Sequence, residues 1–92
     1  MIKSIKTKHG KKLELSAKIE NGVIKEAKIT GDFFVSPEEN FVNIEKLLET
    51  IKRNDNQFTI AAKISKEKRK HNMEFVGFTE YDITKLVRKV LK

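Results

Sequence analysis

An α+β fold, with a small antiparallel sheet of about three strands and helices packed on one face, is what this sequence predicts. Three observations predict it. Residues 12–20 alternate apolar and polar side chains at the period of a strand, and Asn21-Gly22 follows at once as a reversal signal. The second half of the chain instead repeats apolar residues at helical spacing, behind residues that start helices. Strands first and helices afterwards is the order expected of a sheet covered on one side. At 92 residues the chain is expected to form one domain, residues 1–92.

The first element is the short extended stretch "MIKSIKT", broken at His9-Gly10. "KLELSAKIE" then sets Leu13, Leu15, Ala17 and Ile19 on one face and Lys12, Glu14, Ser16, Lys18 and Glu20 on the other. Beyond the turn, "VIKEAKITG" returns as the partner strand. A two-residue Asn-Gly loop would pair Glu20 with Val23 and set Leu15 beside Lys28. A three-residue loop of Glu20, Asn21 and Gly22 pairs Ile19 with Val23, Leu15 with Ala27 and Leu13 with Ile29, which keeps apolar sides together. The second register is therefore expected; it leaves Ile24 outside and Lys25 inside, a sign of a further irregularity.

Ser36, Pro37 and Glu39 read as N-cap, first helical position and capping box of a helix near 37–51, with Phe41, Ile44, Leu47, Leu48 and Ile51 as its apolar stripe. Residues 57–71 alternate well enough for a strand through Phe58, Ile60, Ala62 and Ile64. They also run into "KEKRKH", which favours a helix capped by Asn54 or Asp55, and the helix is the reading adopted. "MEFVGF" is a short extended segment. Thr79 and Asp82 form a second capping box, and Ile83, Leu86, Val87, Val90 and Leu91 make one stripe to the end.

Composition narrows the function. The chain has no cysteine, so thiol catalysis, thiolate metal sites and disulfides are excluded. No run is long and apolar enough to span a membrane, and "MIKSIKTKHG" lacks the core of a signal peptide, so a cytoplasmic, membrane-free protein is expected. His9 and His71 have no companions at metal-ligand spacing, and the four glycines belong to no phosphate-cradling loop. Glu38-Glu39 suits a helix start better than a catalytic pair. No catalytic, cofactor-binding or metal-binding residue is expected in the chain. The net charge of +7 suits either a solvated charged exterior or an anionic partner. A small basic nucleic-acid-binding domain is the alternative reading. The strands offer no exposed aromatic platform, however, and there is no GXXG clamp.

One stretch remains, "ITGDFFVSPEE". Successive side chains of a strand point to opposite faces, so Phe33 and Phe34 cannot both enter one core from one strand. Either Gly31 permits a bend, Asp32 bonds nearby amides and both rings wedge under the next helix, or one ring faces a partner protein.

"NGVIKEAKITGDFFVSPEENFVNIEKLLE" resembles the accessory, C-terminal domain of lipoate–protein ligases, in which a hairpin leads into an I-x-G-D-F-F segment and an acidic-capped helix. "VGFTEYDITKLVRKVL" is similar to that family's closing segment. The resemblance implies the family's α+β fold and the role of separate small subunit in a two-component ligase, an arrangement associated with archaea. It implies a heterodimer with a catalytic subunit that binds ATP and lipoate with Mg. This chain would be needed to form lipoyl-adenylate, before transfer to a lysine of lipoyl-acceptor proteins. Gly31, Asp32, Phe33 and Phe34 are then the expected partner interface. Lys25 and Lys28, flanking the hairpin, are candidates to approach the phosphates.

Overall fold

Asn21 and Gly22 reverse the chain with φ of 53° and 75°, so both sit in the left-handed region that a two-residue primed turn demands. In the computed structural model, which describes residues 1–92, β2 (Lys12–Glu20) and β3 (Val23–Gly31) flank this turn. Glu20 pairs with Val23 and Ile19 with Ile24; the register then shifts, and Lys18 pairs with Glu26, Ala17 with Ala27 and Leu15 with Ile29. The expected three-residue loop is thus corrected. The turn is the shorter one, and a bulge at Lys25 restores the apolar match that the shorter turn alone would have lost. Because the extra residue resets the alternation, Ile24 is fully buried and Lys25 exposed, the reverse of the expectation.

β1 (Ile2–Lys6) adds to the other edge of β2, giving the antiparallel order β1-β2-β3. Leu13, Leu15, Ala17, Ile24 and Ile29 form the inner face of this sheet. The chain then enters a strand that sequence reading missed. β4 (Phe34–Ser36) pairs antiparallel with β5 (Glu74–Val76), within the segment "MEFVGF". Ser36 is consumed as the last residue of β4, opposite Glu74, and Pro37 is extended, with φ −74° and ψ 134° and no side-chain cap. The expected capping box at Ser36 is therefore absent. The helix expected near 37–51 is shorter: α1 (Phe41–Leu47) lies between single 3₁₀ turns at Glu38–Asn40 and Leu48–Thr50.

The ambiguous stretch is helical, as α2 (Gln57–Lys70), with Phe58 and Ala62 exposed where a strand would have buried them. Its cap is neither Asn54 nor Asp55 but Asn56, whose side chain accepts from the Thr59 N–H at 2.9 Å. Asp55 closes the preceding turn instead, accepting from the Lys52 N–H at 3.0 Å. α3 (Glu80–Leu91) begins with the expected capping box: Thr79 accepts from Tyr81 and Asp82 Oδ2 accepts from the Thr79 N–H at 2.8 Å. Its five-residue stripe is buried throughout. α1 packs on β3, α3 packs on β1 and β2, and α2 packs against both helices, so a single core cluster of 19 buried residues joins sheet and helices.

Candidate partner interface

The close approach of two backbones sets the geometry of the Gly31–Phe34 corner. Gly31 ends β3 opposite Leu13, with φ +149°, and a Cβ placed there would stand 2.1 Å from the Lys12 carbonyl oxygen. Only glycine lets the strand end this close. The Asp32 N–H donates to that same Lys12 oxygen at 3.0 Å, fixing the direction in which the chain leaves the sheet. The Asp32 carboxylate is left exposed beside Lys6 and Lys12.

The corner separates the two rings. Phe33 turns inward, its centroid 4.8 Å from Phe78 and 5.5 Å from Phe41. Phe75 stacks on Phe78 at 4.5 Å and completes a four-ring cluster, with the Lys68 ammonium 4.8 Å from the Phe75 centroid. Phe34, first residue of β4, points away and is 73% exposed. The alternative in which both rings wedge beneath a helix is thereby removed: one ring anchors the corner and the other is presented to solvent.

Phe34 does not stand alone. Its cross-strand partner is Val76, 53% exposed, and it shares a surface groove of about 660 Å³ with Val42 of α1, 46% exposed. The groove floor is Ile29, Phe33, Val35 and Phe41; its rim carries Glu38, Glu39 and Glu45 against Lys28. Glu45 also accepts the Ile29 N–H through Oε2 at 2.8 Å, which occupies a free donor on the edge strand β3. Of the two lysines considered from the sequence, Lys28 reaches this groove; Lys25 does not line it. Val42 and Val76 escaped sequence reading because a lone exposed valine carries no signal. Only the pairing of β4 with β5 and the packing of α1 bring them beside Phe34.

The chemistry-bearing residues stay dispersed. His71 Nε2 lies 2.7 Å from Glu67 Oε2 one helical turn away, and no three His, Cys, Asp or Glu side chains gather where they could hold a metal. What the corner offers is an apolar projection over an acid-rimmed groove, a shape suited to a protein partner.

The family profile described as "Bacterial lipoate protein ligase C-terminus" matches residues 2–87. The chain belongs to this family of lipoate–protein ligase C-terminal domains. Among solved structures it is similar to a chain of an archaeal lipoylation system from Thermoplasma acidophilum, described as a bi-partite lipoate protein ligase and its E2 lipoyl domain. The TM-score is 0.71 at 21% identity, over 96% of each chain. At that identity the likeness establishes a shared fold. A search of curated proteins finds no significant match. The resemblance carried by Thr30–Phe34 and by the closing helix thus extends along the chain, and the sheet with helices on one face is the fold of a lipoate–protein ligase C-terminal domain.

Proposed function

We propose that this chain is the non-catalytic small subunit of a two-part lipoate–protein ligase. A separate catalytic subunit, its partner in a cytoplasmic heterodimer, would carry ATP, lipoate and Mg. The observation that carries this reading is the family match over residues 2–87, supported by the fold shared, at a TM-score of 0.71, with a chain of a system described as a bi-partite lipoate protein ligase. Gly31, Asp32, Phe33 and Phe34 belong to the subunit interface, with Phe34, Val42 and Val76 as its apolar contact.

The reaction gives such a subunit something to do. Lipoate carboxylate attacks the α-phosphorus of ATP, a C(O)O–P bond forms, and pyrophosphate leaves. The adenylate is prone to hydrolysis, so the site gains from a neighbour that excludes water and orders a loop over the nucleotide. A rigid corner projecting one ring would serve that purpose, and Lys28, which lines the groove, is in this reading the cation that approaches the phosphates.

The deciding experiment measures pyrophosphate release from lipoate and ATP by the catalytic subunit with and without this chain. Release should depend on the chain, and no nucleotide turnover should occur with the chain alone. Release that is full without it, or undiminished when Phe34→Ala and Lys28→Ala are combined, would reject the assignment.

A further inference from the structure

A second surface, sharing no lining residue with the Phe34 groove, lies where α2 packs beside the outer side of α3. Tyr81, Lys85, Arg88, Lys89 and Lys92 recur at helical spacing, and all are exposed, away from the buried stripe of α3. With Phe58 of α2 they line a groove of about 460 Å³ in which four cations meet no carboxylate side chain. None of these cations joins a salt bridge within the chain; the three bridges present use Lys63, Lys68 and His71. Arg88 is held across the two helices by donating to Gln57 Oε1 at 2.9 Å. A second hollow adjoins the first, because Phe58 and Tyr81 line it too, together with Arg69 and Glu80. Glu80 is compensated by the Lys68 ammonium at 3.8 Å, whereas Arg69 donates to the Ser65 hydroxyl at 3.4 Å and meets no carboxylate. Two rings, 72% and 60% exposed, are thus shared between hollows that each carry free cations.

We infer that this α2–α3 face binds single-stranded nucleic acid, a function separate from the ligation role. Phosphates lie along the cations, and bases stack on Phe58 and Tyr81. A sequence-tolerant single-strand site needs a basic groove with aromatic side chains inside it, and here one set of residues supplies both. The aromatic platform that the strands lack is built instead from two helices. The rings choose among anionic partners. A duplex hides the faces of its bases, and an acidic protein segment would satisfy the cations while giving the rings no planar partner. A bilayer surface would reach the cations, but the rings form part of the wall of a concave groove, which admits a single base more readily than a flat surface. From Tyr81 to Lys92 the track measures roughly 16 Å at 1.5 Å per residue. That is room for about four nucleotides, the small end of single-strand site sizes.

The test uses this chain alone, so its outcome is independent of the subunit role proposed above. Fluorescence anisotropy of a labelled oligouridylate of about ten nucleotides should give a Kd below about 100 μM at about 50 mM salt. Four neutralised phosphates at about 0.7 each predict a slope of about −3 in log K against log salt, a loss of about fiftyfold by about 200 mM. Lys85→Glu/Arg88→Glu/Lys89→Glu should weaken binding by at least about thirtyfold and flatten that slope. Lys3→Glu/Lys18→Glu/Lys25→Glu makes the same change in net charge at exposed positions of the sheet, and should stay within about fivefold of wild type. Phe58→Ala/Tyr81→Ala should weaken binding by at least about tenfold with the slope unchanged, because stacking releases no counterions. Circular dichroism verifies the fold of each variant. Absence of binding, an equal loss in the two charge variants, or an unaltered affinity in the ring variant overturns the inference. Polyglutamate of matching charge binding as tightly as the oligonucleotide also overturns it, and assigns the face to an acidic protein.

Discussion

Neighbouring residues of the same type do opposite work at the Gly31–Phe34 corner, and substitution should separate them. Phe33 touches two rings of the core cluster, so Phe33→Ala should cost about 2 kcal/mol of stability, less than the roughly 3–5 kcal/mol of a fully buried phenylalanine. Phe34 is mostly in water, so Phe34→Ala should leave stability within about 0.5 kcal/mol while weakening the complex by about 2 kcal/mol, roughly thirtyfold. Urea denaturation of the free chain and titration with the catalytic subunit measure the two effects. Gly31→Ala tests what holds the corner itself. With a methyl 2.1 Å from a backbone oxygen, strand β2 or β3 must shift, and the loss in the urea midpoint should correspond to more than about 1 kcal/mol. The doublet was visible in the sequence as an anomaly, since two adjacent rings defeat strand alternation. Which ring turned inward was not, because that depends on Phe75 and Phe78, more than forty residues further along.

Elements defined by local chemistry were legible, and those defined by distant pairing were not. The α3 start is written in four consecutive residues, Thr79 to Asp82, whose side chains and amides satisfy one another without help from elsewhere. β4 and β5 are three residues each and pair only because they meet across the fold; the sequence showed β5 as the short extended segment "MEFVGF" but not its partner, and nothing announced β4. That pairing also took Ser36 from the helix it was expected to cap. The β2–β3 hairpin lies between these cases. Its turn was written in Asn21-Gly22, but the bulge at Lys25 follows from packing Ile24 and Ile29 on the same side, a demand of the core. The connection before α2 yields a pH prediction. The Lys52 N–H donating to the Asp55 carboxyl holds that group below its usual 3.8; partial burial opposes this and the Lys63 ammonium, at 3.6 Å, assists. A lowered carboxyl contributes stability above its unfolded pKa and loses it as pH falls through the folded value. Asp55→Asn should therefore destabilise the chain by about 1 kcal/mol at pH 7, a modest figure because solvent reaches the pair. The gap from wild type should close as the pH is taken below 3.8, as thermal melts at pH 7 and in the acid range would record.

On the scale of the whole molecule, one continuous core places two surfaces of different character on a body with extents of 33 × 27 × 22 Å. Sheet, α1 and α3 share that core, so binding at the Phe34 groove should stabilise the chain as a unit. Any partner that binds the folded state alone adds RT ln(1 + [L]/Kd), about 2.7 kcal/mol at a hundredfold excess over Kd. Amides of the central strand β2, at Leu13 and Leu15, exchange through global opening, so saturating catalytic subunit should slow them about a hundredfold. Hydrogen exchange read by mass spectrometry assigns the effect to this chain even inside the complex. Phe34→Ala should leave the free-state rates untouched. At the same partner concentration its thirtyfold weaker affinity reduces the excess to about threefold, and the slowing to about fourfold. Protection that ignores the catalytic subunit, or that persists in full in Phe34→Ala, would move the subunit contact away from this corner.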